Sequence, residues 1–303
     1  MWAAADQNRL SYLRHHQSNI QASLYSGLTD MINNDMDLNN IGQRFILPSS
    51  YTGSPRYMKQ CLQDSLALAH YYRQINLFIT ITCNPNWPEI VCELLPGQTA
   101  ADWLDLCARV FHMKKKVVID EIYRKGIFRK AVAYVYTIKF QKCSLPHTHI
   151  LVFLKDEEKI LTPADIDTAI QAYWPDPDTE PMLFETMKQC MVHSCSNWCL
   201  ENGKCTKHFL KAFQPQMSID REGYPLYYWP DDGREYEVNG AIVNNQWIVP
   251  YNPYLSAKCD CHINIESLVS FSTLKYVHKY IHKGSDHATL EVSPFILSIL
   301  SCC

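Results

Sequence analysis

Alternating and continuous runs of strand-forming residues predict four β-strands in this chain. Four segments are rich in β-branched and aromatic residues: Leu77–Thr82, Ala131–Ile138, His147–Leu154 and His262–Glu266. The first run ends at Asn84-Pro-Asn-Trp-Pro88, because prolines cannot continue a strand ladder. A turn at Gln141–Pro146 separates the second and third runs, so these two are predicted to form a hairpin.

Apolar residues at helical spacing predict helices before, between and after these strands along the sequence. The helical segments are Asn8–Asp35, Met58–Arg73, Ala101–Tyr123, Pro163–Tyr173 and Leu274–Lys283, the last ended by Gly284. Tyr224–Ile248 is rich in turn residues and aromatics, and it predicts no long helix. The aromatic content of 12% fits a packed α/β or α+β domain.

Composition narrows the class of protein. With 47% hydrophobic and 19% charged residues among 303, the chain is not predicted to be disordered. A net charge of −3 excludes a strongly basic, histone-like nucleic-acid binder, but it is compatible with a local basic groove. No run reaches the roughly 18 apolar residues of a membrane helix, and no secretory signal is visible. The 13 cysteines, odd in number, are therefore expected to be reduced, with metal binding where they cluster.

The first chemical motif is His147-Thr-His149 in a predicted strand. Residues two apart in a strand face the same way, so the two imidazoles form a two-nitrogen grip for a metal ion. On its own, this pattern more often marks surface histidines without a ligand.

The second motif places Tyr276 and Tyr280 four residues apart on a predicted helix, beside a row formed by Lys275, Lys279 and Lys283. A phenol can act as a covalent nucleophile, and nearby ammonium groups favour its phenoxide. The alternative is an amphipathic helix with half-buried tyrosines and solvated lysines. A second lysine cluster, Lys114–Lys116, is a candidate DNA backbone contact or an ordinary solvated run.

The third motif is rich in cysteine and histidine. His193, Cys195, Cys199 and Cys205 lie close together in the sequence, between Cys190 and His208, and soft ligands of this kind suit tetrahedral Zn²⁺. The spacing differs from paired CxxC motifs, so reduced buried cysteines explain it equally well.

These motifs become specific when they occur together and in order. The chain resembles the replication-initiator (Rep) region of Helitron transposons, the Helitron helicase-like domain, within the HUH endonuclease superfamily. The resemblance spans about Arg9 to Asp286 and rests on the segments Leu47–Arg56, Phe78–Ile90, Phe140–Lys142, Leu145–Ile150, Gly203–Lys207, Val249–Leu255, His262–Glu266 and Lys275–Gly284.

The resemblance implies a metal site and its ligands. His147 and His149 match the metal-binding pair of the superfamily, for Mg²⁺ or Mn²⁺. A third ligand is a nearby Glu, Gln or His, and Gln141 is the residue that we expect to fill this role. Family members often have Glu where this chain has Lys139, and a cation there departs from the family pattern.

The resemblance also implies the nucleophiles. Tyr276 and Tyr280 match the two catalytic tyrosines, and Lys279 and Lys283 match the lysines three residues after each. The implied fold is α+β: a Rep-like antiparallel sheet with the histidine hairpin central, helices on one face and a Cys-rich insertion. We expect an N-terminal helical extension over 1–74, the nuclease domain over 75–287 with its Cys/His-rich insertion at 190–208, and an unrelated or read-through tail over 288–303.

The resulting hypothesis is a Helitron-like transposase Rep module. It would nick single-stranded DNA with a divalent metal and transfer strands through a 5′-phosphotyrosine, in the nucleus. No GxxxxGK[ST] loop occurs in the sequence, so no P-loop helicase motor is expected in it. Three alternatives remain: a catalytically decayed DNA-binding remnant, an unrelated metallohydrolase that uses HxH, and a protein-binding module built around zinc.

Overall fold

The computed structural model describes residues 2–17, 46–72, 74–140, 145–160, 162–193, 199–202, 204–206, 209–221 and 223–268. The helices in these ranges are α1 Trp2–His15, α2 Pro55–Tyr71, α3 Pro88–Val91, α4 Leu104–Ile119, α5 Pro163–Ala169, α6 Pro181–Thr186 and α7 Pro253–Cys259. Short 3₁₀ turns cover Ala100–Asp102, Asp156–Glu158 and Asn245–Trp247, and π turns cover Asp120–Arg124 and Met187–Met191. The strands are β1 Leu77–Thr82, β2 Ala131–Phe140, β3 Pro146–Leu154, β4 Leu200–Glu201, β5 Lys204–Cys205, β6 Ser218–Ile219, β7 Pro225–Leu226, β8 Tyr236–Val238, β9 Ala241–Val243 and β10 Ile263–Ser267.

The main sheet has four strands in the order β10-β1-β3-β2, and every neighbouring pair is antiparallel. The α+β class and the four main strands are thereby confirmed. The expectation that the whole histidine hairpin is central is wrong for one of its strands. β3 pairs with β1 on one side and with β2 on the other, so it lies inside the sheet. Among the described strands, β2 is an edge strand.

The two faces of the sheet differ in polarity. On one face, Ile79, Ile150 and Ile265 lie side by side in neighbouring strands and are fully buried. Phe111 and Val118 of α4 belong to the same core cluster. Burial of one such side chain contributes about 1.5–3 kcal/mol, so this layer anchors the sheet. The alternate residues, among them both histidines of β3, point to the opposite face.

A network at the end of β1 holds the following loop against α7. The indole of Trp87 is completely buried, and its Nε1 donates hydrogen bonds to the carbonyl oxygens of Cys259 and Asp260 at 2.8 and 2.9 Å. Asn84 Nδ2 donates to the same Asp260 oxygen at 2.8 Å. Asp260 ends α7 with a left-handed backbone (φ 46°) and turns the chain into β10. The turn that precedes the helix at Pro88 therefore also fixes where the last strand begins.

Contact density divides the chain into two compact units, with one boundary after Asp64. In the first unit, Gln17 exchanges hydrogen bonds with the backbone of Ile46 at 2.7 and 3.0 Å, and Tyr51 donates to Asp6 at 2.9 Å. The second unit, residues 65–281, contains the sheet. The predicted domain limits at 74/75 and 287/288 remain predictions. Within the described ranges, the helices are too short or too polar to cross a lipid bilayer.

Candidate functional site

Both predicted metal-binding histidines lie on β3 and face the same side of the sheet. In the strand register, His147 is opposite Thr82 of β1 and Lys139 of β2, while His149 is opposite Thr80 of β1. The two imidazole rings have centroids 5.0 Å apart and are nearly perpendicular, at 79°. The rings therefore share a face, as the alternation predicted, and their role as metal ligands remains a prediction.

His149 is held in a defined orientation by β1. Its Nδ1 atom forms a hydrogen bond of 3.0 Å with the hydroxyl of Thr80, and its ring stacks on Phe78 with centroids 5.3 Å apart and planes at 16°. Hydrogen bonding of one ring nitrogen favours the other as a metal ligand, and it fixes the ring plane. Thr80 and Phe78 therefore fix the orientation of one of the two imidazole rings.

The last strand adds polar residues to the same face, which the sequence analysis did not single out. Asn264 of β10 lies opposite Thr80, and Glu266 lies opposite Phe78. Asn264 Nδ2 donates a 3.0 Å hydrogen bond to Glu266 Oε1. Asn264 and Glu266 are two residues apart in a predicted strand, so the sequence predicts that they share a face. Only the long-range pairing of β10 with β1 shows that this is the face that carries His147 and His149.

A groove of about 730 Å³ runs along this face from His149 towards the Cys/His cluster. Its lining combines a carboxylate, imidazoles, a lysine and aromatic rings, among them His149, His193, Lys211, Tyr227, Trp229 and Glu266. The Lys211 ammonium lies 4.8 Å from the ring centroid of Phe209, and burial lowers its pKa. Aromatic faces beside a cation are the elements that single-stranded nucleic acids contact.

Three of the predicted zinc ligands come together at one end of this groove. His193 Nε2 lies 3.3 Å from Cys205 Sγ and 3.8 Å from Cys199 Sγ, and all three ligand atoms lie within 4.8 Å of one another. In tetrahedral zinc coordination, bond lengths near 2.0 and 2.3 Å place N and S ligand atoms about 3.5 Å apart. The cluster therefore fits Zn²⁺ in both ligand chemistry and spacing. The ring of His193 stacks on Phe209 with centroids 4.1 Å apart.

Burial shifts the pKa of two residues near this cluster, Cys190 and His262. Burial raises the pKa of the Cys190 thiol to about 11, which favours a protonated side chain rather than a thiolate ligand. Burial, and then the nearby His193, lower the pKa of His262 to about 4, so its ring is uncharged at neutral pH. His262 also lines the groove.

Several predicted site residues lie outside the described ranges. They are the proposed third ligand Gln141, the tyrosines Tyr276 and Tyr280, the lysines Lys279 and Lys283, and the fourth zinc candidate Cys195. Their roles remain predictions.

The lysine triplet does not form one exposed row. Lys114 pairs with Glu89 at 2.6 Å, while Lys115 is only 2% exposed and Lys116 is exposed. Successive helical residues point about 100° apart, so three consecutive lysines cannot share one surface. The three lysines therefore lie in different environments, and their contact with DNA remains a prediction.

Residues 1–152 match the family described as the Helitron helicase-like domain at the N-terminus. The matched range ends within β3 and includes both His147 and His149. A comparison with curated proteins gave no match. Because the family match covers half of the 303 residues, the chain belongs to the Helitron helicase-like domain family.

Proposed function

We propose that this protein is a Helitron Rep-type nuclease module that nicks single-stranded DNA and transfers strands. The observation that carries the proposal is the pair His147 and His149 on one face of β3, with His149 oriented by Thr80, inside the range that matches the Helitron family. A transposon protein of this kind would act in the nucleus.

The donor set fits a divalent metal ion. Two imidazoles 5.0 Å apart on a rigid strand can bind one ion through nitrogen, and Mn²⁺ accepts nitrogen ligands more readily than Mg²⁺. Gln141 is the proposed third ligand. When bound, the ion would polarise the scissile phosphate and neutralise charge on its oxygens.

The proposed chemistry is a transesterification by tyrosine. The phenol oxygen of Tyr276 or Tyr280 would attack phosphorus as its proton leaves, forming a P–O bond to the protein. The bond between phosphorus and the 3′ oxygen would break, giving a 5′-phosphotyrosine and a free 3′ hydroxyl. Lys279 and Lys283 would favour the phenoxide by their positive charge. Attack by a 3′ hydroxyl reverses the step, so strands can be joined without a nucleotide cofactor.

The second candidate is a decayed module that binds DNA without cutting it. Lys139 favours this alternative, because the residue lies opposite His147 in the strand register and a positive charge near a metal site opposes metal binding. The groove with Lys211 and its aromatic neighbours would keep DNA affinity in either case.

Nicking of end-labelled single-stranded DNA separates these functions. The full chain would be assayed with Mn²⁺ and with EDTA, beside His147→Ala, His149→Ala and the double variant Tyr276→Phe/Tyr280→Phe. Metal-dependent nicking lost in all three variants supports the proposal. Nicking that survives the double tyrosine variant would indicate a metallohydrolase, and DNA binding without nicking would indicate the decayed module.

A further inference from the structure

A second groove, of about 900 Å³, lies on the other side of the sheet from the histidine pair. Its floor is formed by Tyr134 and Tyr136 of β2, which pair with Val152 and Ile150 of β3. These β3 residues belong to the buried face that alternates with His147 and His149, so the two grooves cannot be one site. Nothing in the proposed nicking chemistry uses this second groove.

Aromatic rings form a continuous surface in the second groove. Tyr134 and Tyr136 are nearly parallel, with ring centroids 6.4 Å apart, and Tyr123 meets Tyr134 edge to face at 5.2 Å. Tyr123 is 44% exposed and Tyr136 is 41% exposed. Exposed aromatic faces in a row are a platform on which planar rings can stack.

Cations surround these rings. They are Lys115 and Lys116 of α4, Arg124 of the following π turn, Lys125 directly after that turn, and Lys258 of α7. Partial burial lowers the pKa of His112 at the same groove, and the positive charges of Lys115 and Lys116 lower it further. The groove is therefore electrostatically positive although the whole chain has a net charge of −3.

The two carboxylates of the groove are already paired. Glu121 is 2% exposed and accepts hydrogen bonds from Lys125 at 2.8 Å and Lys258 at 2.5 Å, while Asp120 pairs with Arg124 at 3.3 Å. Among the described cations of the groove, this leaves the exposed Lys116 of α4 to meet an outside anion.

Lys115 is the most informative of these cations. It is 2% exposed, and its Nζ lies 3.8 Å from the ring centroid of Tyr136. The face of the Tyr136 ring stabilises this buried ammonium by a cation–π contact, so Lys115 adds positive charge beside the groove and holds the ring of Tyr136 in place.

We propose that this groove binds single-stranded nucleic acid, with bases on Tyr134 and Tyr136 and phosphates beside Lys116. Such a strand supplies both the anion and the planar rings, whereas an acidic peptide supplies only the anion. In the setting of the Helitron family, the ligand would be a DNA strand held on the face of the sheet away from the histidines.

Binding would be measured by fluorescence anisotropy with the full chain in EDTA, so that no cleavage contributes. The probes are labelled dT12, rU12 and an abasic 12-mer. Tyr136→Ala and Lys116→Glu are expected to weaken binding of the base-containing probes about tenfold. The controls Tyr71→Ala and Lys155→Glu change an exposed tyrosine and an exposed lysine outside the groove and should bind as the unaltered chain does. The ratio of dT12 to rU12 affinity tells whether DNA or RNA is preferred.

Photocrosslinking locates the contact independently of affinity. With 5-iodouracil in the strand, the expected adduct is on Tyr134 or Tyr136, located by sequencing the tryptic peptide 131–139. Three results would each overturn the proposal. They are adducts found only on the sheet face that carries His147 and His149, binding of the abasic probe equal to that of the base-containing probes, and unchanged affinity of both groove variants. Because Lys116 is exposed, its variant tests the groove even if Tyr136→Ala fails to fold.

Discussion

Lys139 of β2 lies directly opposite His147 of β3 in the antiparallel register. Directly opposed residues have Cβ atoms about 4.5–5.5 Å apart, so a lysine charge is brought close to the proposed metal site. This relationship makes the strength of metal binding the first property to test.

Lys139→Glu should strengthen Mn²⁺ binding by on the order of tenfold or more, because a carboxylate replaces a cation beside the ion. Isothermal titration of the full chain with Mn²⁺ measures this. Lys155→Glu makes the same charge change at an exposed position beyond the end of β3 and should have little effect. Equal gains in the two variants would mean that only net charge matters.

Thr80→Val should weaken Mn²⁺ binding about 10–100-fold, because it removes the hydrogen bond that orients the ring of His149. Thr80→Ser keeps the hydroxyl and should restore binding. The unfolding midpoints of both variants would be measured in parallel. Weak binding in Thr80→Ser as well would argue that packing, and not the hydrogen bond, explains the loss.

Cys199→Ser should abolish the uptake of one zinc ion per chain, since it removes a thiolate from the His193, Cys199 and Cys205 cluster. Elemental analysis of purified protein and the unfolding midpoint with and without chelator are the measurements. Cys92→Ser, at an exposed cysteine outside the cluster, is the matched control. Equal zinc content in the two variants would contradict a zinc centre.

Stability should decrease with acidity through Glu121. Hydrogen bonds from Lys125 and Lys258 lower the pKa of its carboxyl from the ordinary 4.5 to about 2. The unfolded chain therefore binds more protons between these values, and the contribution of Glu121 is complete above pH 4.5 and lost as the pH falls towards 2. In denaturant titrations, Glu121→Gln should be less stable than the unaltered chain at pH 7, with a difference that shrinks towards pH 2. A difference independent of pH would show that the charge is not its source.

The strands of the sheet were predictable because their signals are local. Leu77–Thr82 matches the predicted range, and His147–Leu154 differs from the observed strand by one residue. The shared face of His147 and His149 follows from alternation within that one strand. The three clustered zinc candidates were also close in sequence.

The remaining features depend on long-range pairing or on the rotation of a helix. Glu266 lies opposite Phe78 because β10 pairs with β1, which is distant in the sequence, and no local sequence pattern predicts that register. Likewise, the burial of Lys115 depends on how α4 is turned against the sheet. The sequence left DNA contact and solvated lysines open there, whereas packing places one of the lysines over Tyr136.

The central claim is the covalent tyrosine intermediate, and a denaturing gel with mass spectrometry tests it most directly. The full chain would be incubated with end-labelled single-stranded DNA and Mn²⁺, and adducts would be digested and sequenced. The account predicts a phosphotyrosine bond at Tyr276 or Tyr280 that is absent with EDTA and in His147→Ala. Cleavage without any protein-bound DNA, or adducts that persist in Tyr276→Phe/Tyr280→Phe, would contradict it.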